Sequence, residues 1–207
     1  MKTIKSLFII ILISFIVNAQ TTHHYHDTFE INSNPGWAST SSTGSFGVSN
    51  GELKLSNISD DVVHMLLPIG ATKDDFSFKI FSGSTGDGIE SGGLGRMGFK
   101  SLLSLHIEDD SISVIYTSNI QSYSEPNFTW LKTHPLPSTV NSIHLNGVRS
   151  GNDLLIFAYV NDILFYNGII NNADPGLFAG QLVVYLIKGE DQVMNWSLDE
   201  VDVNYIP

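Results

Sequence analysis

The chain reads as an antiparallel all-β sandwich, and three features of its 207 residues point there. Short runs rich in Ile, Val, Leu, Phe and Tyr recur between turn-forming residues roughly every 8–12 positions, the spacing expected of a sandwich. Within many runs apolar and polar residues alternate, which sends successive side chains to opposite faces of a sheet. Beyond residue 19 no window repeats apolar residues at 3.6 positions, so nothing specifies an amphipathic helix.

The first nineteen residues stand apart. Lys2 and Lys5 precede an apolar run from Leu7 to Val17, and Val17 and Ala19 carry the small side chains a signal peptidase requires. We expect a secretory signal peptide over residues 1–19 and one domain over residues 20–207. The run is short of the roughly 20 apolar residues of a membrane span, and no other stretch approaches that length. Cysteine is absent, so no disulfide supports the exported fold, as one would in many small secreted animal domains. That combination suits a bacterial protein, periplasmic or released.

Charge narrows the partners. Ten Lys and Arg stand against 21 Asp and Glu, for a formal net charge of −11; removal of Lys2 and Lys5 makes the remainder more acidic still. A phosphate backbone needs clustered basic residues, so nucleic acid and anionic membranes are excluded as expected partners. Neutral glycans, cations and other proteins remain.

Taken in order, Thr21 to Ile31 forms a first strand, and Pro35-Gly36 turns the chain into a short run at Trp37. Phe46–Val48 and Leu53–Leu55 flank Asn50-Gly51, a dipeptide suited to the positive φ angles of a tight hairpin. Val62 to Ile69 reads as a buried strand, and Phe76, Phe78 and Ile80 alternate with polar residues as a half-buried one. A glycine-rich loop is expected over Ser82 to Gly98. Leu102–Ile107 and Ile112–Thr117 pair across Glu108-Asp109-Asp110-Ser111, and Phe128–Thr133 follows. Asn141 to Gly168 then forms a β-meander, its middle strand apolar on both faces: Leu154, Ile156, Ala158 and Val160 on one, Leu155, Phe157 and Tyr159 on the other. Leu182–Ile187 and Met194–Tyr205 complete the sequence. In the last, Trp196 and Leu198 fall out of phase with Val201, Val203 and Tyr205, which a β-bulge near Asp199-Glu200 would restore.

The order of these elements resembles the concanavalin A-like lectin/glucanase superfamily of laminin-G-like jelly rolls. The similar pieces are Asp27-Thr28-Phe29, Trp37 and Val48 to Leu53 at the start, the Leu154–Phe165 hairpin with Asn161-Asp162 at its turn, Gly176-Leu177-Phe178, and Trp196 to Val203 at the close. They span nearly the whole expected domain. The resemblance implies two antiparallel sheets, one of them concave, and carbohydrate as the ligand class. It also implies a structural calcium ion tying the first and last strands, for which Asp27 and Asp199 are the candidate ligands. The Glu-x-Asp-x-x-Glu strand of the superfamily's laminarinases is missing: at Glu200-Val201-Asp202 the third position beyond Asp202 is Tyr205.

Other motifs carry less. Gly93-Leu94-Gly95-Arg96-Met97-Gly98 matches a dinucleotide fingerprint in letters, but no strand precedes it and no helix follows. His24 and His26 would share a face of a strand and could touch zinc or copper, with no local third ligand. Asp109 with Asp110, Asp87 with Glu90, and Glu190 with Asp191 sit at turns or in loops. A glycosidase would need two carboxyls roughly 5–9.5 Å apart across a groove.

The best candidate site is a sugar-binding face. Pairing Ile107 with Ile112 puts Leu103, Leu105, Val114 and Tyr116 inward and leaves Ser104, His106, Ile115 and Thr117 outward. Beside them the reading sets Phe157 and Tyr159, with His144 and Asn146 from the neighbouring strand and Trp130 nearby. Rings with polar tips suit a sugar, whose C–H face is apolar and whose hydroxyls need partners. The same rings would also serve to pack against a loop or second layer. The sequence therefore predicts an exported, non-catalytic, lectin-like protein. The alternatives are a glycoside hydrolase with an unrecognised carboxylate pair, or a surface adhesion component.

Overall fold

The computed structural model describes residues 21–30, 36–82, 87–118, 128–190 and 192–207. The expected leader lies outside these residues, as do Ile31, Pro35 and Asp191. Among the described residues the strands are β1 (His23–Asp27), β2 (Ala38–Ser39), β3 (Ser45–Ser49), β4 (Glu52–Ile58), β5 (Val62–Ser82), β6 (Ile89–Met97) and β7 (Leu102–Glu108). They continue with β8 (Ser111–Thr117), β9 (Thr129–Pro135), β10 (Ser142–Ser150), β11 (Asp153–Val160), β12 (Ile163–Ile170), β13 (Ala179–Lys188) and β14 (Met194–Ile206). A single 3₁₀ turn at Pro175–Phe178 precedes β13. No helix among the described residues is long and apolar enough to cross a membrane. The fold is the antiparallel jelly-roll sandwich that the sequence predicts.

Its two layers share one strand. The first part of β5, residues 62–73, lies between β2 and β13 in a sheet that continues through β6, β7, β8 and β9. The second part, residues 73–82, lies between β10 and β14 in a sheet running from β12 and β11 to β1, β4 and β3. The sequence suggested two strands here, Val62–Ile69 and Phe76–Ile80; the structure joins them. The crossing uses Gly70 at φ +71° and Asp74 at φ +48°, the left-handed angles that let a chain change direction. Between Ala71 and Leu66 the pairing with β13 skips, a bulge that turns the strand.

Arg96 fastens this bend. Its guanidinium is fully buried and donates to the carbonyls of Thr72 and Asp74, while lying 5.0 Å from the centre of the Phe76 ring. Burial lowers its pKa to about 10, opposed by the charges of Asp74 and Asp75. Thr72, also buried, donates its hydroxyl to Gly180 O on β13 at 3.1 Å.

Between the layers the inward positions form one apolar core. Leu103, Leu105 and Val114 from the first sheet meet Phe78, Ile156 and Val203 from the second, all fully buried. Each such side chain contributes about 1.5–3 kcal/mol relative to exposure, so the period-two pattern is what fixes the register. Ile107 pairs with Ile112 as expected. Asn50 and Gly51 take φ +56° and +75° between β3 and β4, and the bulge before Glu200 falls where the phase change put it.

The loop expected over Ser82 to Gly98 is corrected within its described part, residues 83–86 lying outside the described residues. Residues 89–97 form β6, paired on both sides with β13 and β7. Its glycines reflect crowding: a Cβ on Gly93 would lie 1.9 Å from Leu105 O, and one on Gly95 2.4 Å from Leu103 O.

Candidate functional site

On the face of the first sheet that points away from the core, the pairing register lines up a row of side chains across six strands. It runs His64 on β5, Tyr185 on β13, Gly93 on β6, His106 on β7, Ser113 on β8 and Thr133 on β9. A second row lies two residues along: Leu66, Val183, Gly95, Ser104, Ile115 and Trp130. Of these, His64, Tyr185 and His106 from the first row and Val183 and Trp130 from the second line a trough of about 530 Å³.

The glycines of β6 are what make the rows communicate. With no side chain at Gly93, the ring of Tyr185 reaches across the strand, and its hydroxyl meets His106 Nδ1 at 2.9 Å. The two rings stack, 6.0 Å apart and 11° from parallel. Ser104 Oγ lies 3.0 Å from the same hydroxyl and 2.9 Å from Leu94 O. On the far side Ser113 and Thr133 join their hydroxyls at 3.0 Å. Trp130, half-exposed, meets the His106 ring edge-on at 5.8 Å.

Burial sets the charge of this floor. It holds the His106 imidazole below its ordinary pKa, against the pull of Glu108, whose carboxylate stands 3.8 Å from Nε2. Burial likewise lowers His64 and raises Tyr185 far above the usual phenol range. At neutral pH the floor is uncharged. The carboxylates that reach the trough, Asp61, Glu90, Glu108 and Glu190, are exposed at its rim, and the partly buried Lys188 faces Asp61 at 3.5 Å. A neutral floor of rings and hydroxyls can hold a polar, uncharged ligand flat against it.

The six sequence-predicted ligand residues divide between two surfaces. His106 and Trp130 line the trough. His144, Asn146, Phe157 and Tyr159 lie half-buried on the outer face of the second sheet, because β10 and β11 pair with β5 and β12 rather than with β8. There His144 stacks on Tyr159 at 5.1 Å and meets Ser77 Oγ at 2.8 Å. The meander and the β7–β8 hairpin thus present separate faces.

Asp27 and Asp199 sit in separate hydrogen-bonded settings. Asp27 accepts from the Tyr25 hydroxyl at 2.8 Å and from Phe29 N at 2.9 Å, bonds that hold Phe29 at φ +52°. Asp199 is raised in pKa, first by burial and then by its contact with Glu52, which Lys54 in turn holds low. Calcium wants six to eight oxygens; among the described residues no group of three or more His, Cys, Asp or Glu is placed to hold a metal. His24 and His26 share a face as expected, and their Nε2 atoms turn to Asp202 at 3.3 Å and Glu200 at 2.8 Å.

The sequence reading missed Tyr185, His64 and the glycine saddle at Gly93 between Tyr185 and His106. His64 lies in a run that reads as a buried strand and Tyr185 in one with no assigned outer face, and only the pairing of β13 with both β5 and β6 shows their common face.

Comparison with known proteins gives a fold and no family. No protein-family model matches the chain, and no curated protein matches it in sequence. Solved structures do. A laminarinase from Flavobacterium sp. UMI-01 superposes with a TM-score of 0.59 at 11% identity, covering 87% of this chain and 98% of that one. SCLam, a non-specific endo-β-1,3(4)-glucanase from family GH16, gives 0.61 at 9% identity over 92% and 93%. The carbohydrate recognition domain of Emp47p gives 0.58 at 10% identity over 91% and 98%. At such identities the likeness is one of fold, and it reaches hydrolases and lectins alike.

Proposed function

We propose that this protein binds a neutral glycan in the trough over His64, Tyr185, His106 and Trp130, and does so without cleaving it. The observation that carries the reading is the cross-strand row itself: an uncharged floor of imidazole, phenol and hydroxyl groups beside a half-exposed indole. An indole face takes the C–H side of a sugar ring, and the polar tips take its hydroxyls. The four rim carboxylates are all exposed, and the chain lacks the Glu-x-Asp-x-x-Glu strand of the superfamily's laminarinases. With the leader over residues 1–19 removed, the domain over residues 20–207 would work outside the cytoplasm, where polysaccharides are met.

One feature favours a hydrolase as the second reading. The pairing of β13 with β6 skips Glu90, and this bulge brings both Glu90 and Ser91 to the trough, beside Glu108, the cross-strand partner of Ser91.

Because one of the fold's neighbours is by name a laminarinase and another an endo-β-1,3(4)-glucanase, β-1,3-glucan oligosaccharides are the first probe. Calorimetric titration should give saturable binding that Trp130→Ala weakens by about tenfold or more, roughly 1.4 kcal/mol, while Tyr159→Ala leaves it unchanged. Loss with Tyr159→Ala but not with Trp130→Ala would move the ligand to the other sheet and overturn the trough. Release of reducing ends, abolished in Glu90→Gln and Glu108→Gln, would replace binding by hydrolysis.

A further inference from the structure

A second cavity, of about 440 Å³, opens between the two sheets at one end of the sandwich. Its walls differ from the trough floor in chemistry, although Glu90 and Ser91 border both spaces. Ile80 and Ile143 form one wall and Val184 and Leu186 the other, each no more than 7% exposed. Trp196 and Val140, both partly buried, stand at the edge. Gly92, which also lines the cavity, takes the core-facing position of β6 two residues before Leu94, and Leu186 closes over it, its Cδ2 2.9 Å from where a Cβ would stand.

Stacked sheets lie about 10 Å apart, so a space where their side chains fail to interlock is flat and narrow. Apolar walls hold water poorly, since a buried water wants two to four polar partners; an engineered apolar cavity of about 150 Å³ stays dry and takes up benzene. Here the space is larger, mainly apolar with Ser91 and Ser197 also bordering it, and open at one end. The charged groups around the opening are Glu90 and Asp109, and among the described residues no Lys, Arg or His lines it.

We propose that this slot is a binding site for a single aliphatic chain whose head group is not anionic, such as a long-chain amine or alcohol. The tail enters between Ile143 and Val184, and the head stays at the mouth beside Glu90 and Asp109, where a carboxylate or phosphate would be repelled. Nothing in this depends on a glycan occupying the trough.

The test is a fluorescence titration of the purified protein with the neutral probe N-phenyl-1-naphthylamine, followed by displacement. Saturable brightening with energy transfer from tryptophan is expected, reduced in Trp196→Phe, where Trp37 and Trp130 remain as donors. Dodecylamine and dodecanol should displace the probe at least about tenfold more effectively than dodecanoate. Val140→Trp, at the edge, and Ile143→Phe, in the wall, should each weaken probe binding by about tenfold or more. Glycan titration in the same variants should be unchanged, which separates a failure of this site from a failure of the trough. Probe binding of wild-type strength in Val140→Trp, or no saturable binding at all, overturns the site. Equal displacement by dodecanoate overturns the assignment of the head group. Should Ile143→Phe not fold, Val140→Trp decides alone.

Discussion

Replacing Tyr185 by Phe removes one oxygen and tests the centre of the site. The ring keeps its place over Gly93, but His106 Nδ1 loses the partner at 2.9 Å and Ser104 Oγ loses one at 3.0 Å. Ser104 still has the carbonyls of Leu94 and Leu105 at 2.9 Å, so the unpaired atom belongs to His106, which is 7% exposed. Either tautomer leaves a polar atom stranded, an acceptor in one case and a donor in the other. Stranding a buried polar group costs about 1–3 kcal/mol. For a domain of this size each kcal/mol lowers the melting temperature by about 2–4 °C, so a fall of roughly 2–12 °C is expected. Thermal unfolding followed by circular dichroism at pH 7.5 reads it directly. A melting temperature within about 1 °C of wild type would refute the claim that the Tyr185 hydroxyl holds His106.

Two further outcomes follow from the same geometry. Burial keeps His64, His106 and His144 below the ordinary histidine pKa in the folded protein, so near pH 6.5 and below the unfolded chain binds protons the folded one refuses. Stability should therefore be full above about pH 6.5 and fall as the pH drops toward the depressed folded values; melting curves at pH 7.5, 6.5 and 5.5 that stay level or rise would contradict it. Gly93→Ala should destabilise toward or beyond the upper end of about 1–3 kcal/mol, because its Cβ would meet Leu105 O at 1.9 Å and Tyr185 Oη at 3.0 Å. Gly47→Ala, with no atom within 4 Å of the added Cβ, is the control expected to stay within about 0.5 kcal/mol, by urea unfolding.

What could be read from the sequence was local. The Asn50-Gly51 hairpin, the pairing of Ile107 with Ile112 and the inward row Leu154, Ile156, Ala158 and Val160 all follow from turn chemistry and a period of two. Alternation states which residues share a face of their own strand; it does not state which sheet the strand joins. For that reason His106 and Tyr159 were set on one surface, though nothing local distinguishes the outer face of one layer from that of the other. The strand that decides the matter, β5, carries its change of layer in Gly70 and Asp74, and Asp74 gives no sequence sign of a positive φ. The buried Arg96 that ties this bend was likewise hidden inside a glycine-rich stretch.

That stretch shows why the fold and the site cannot be separated. A strand with side chains at positions 93 and 95 would stand between β13 and β7 as a ridge, and Tyr185 would have to point away from the sheet. Glycine there costs conformational entropy, and β-sheets otherwise avoid it. The cost is met by pairing on both edges, with β13 and with β7, so the backbone is held without its own side chains. The lowered ridge lets a phenol on one strand orient an imidazole two strands away, and it leaves a smooth floor on which a flat ligand can lie. A fingerprint that in letters suggests phosphate binding thus has its physical meaning in what its glycines leave out.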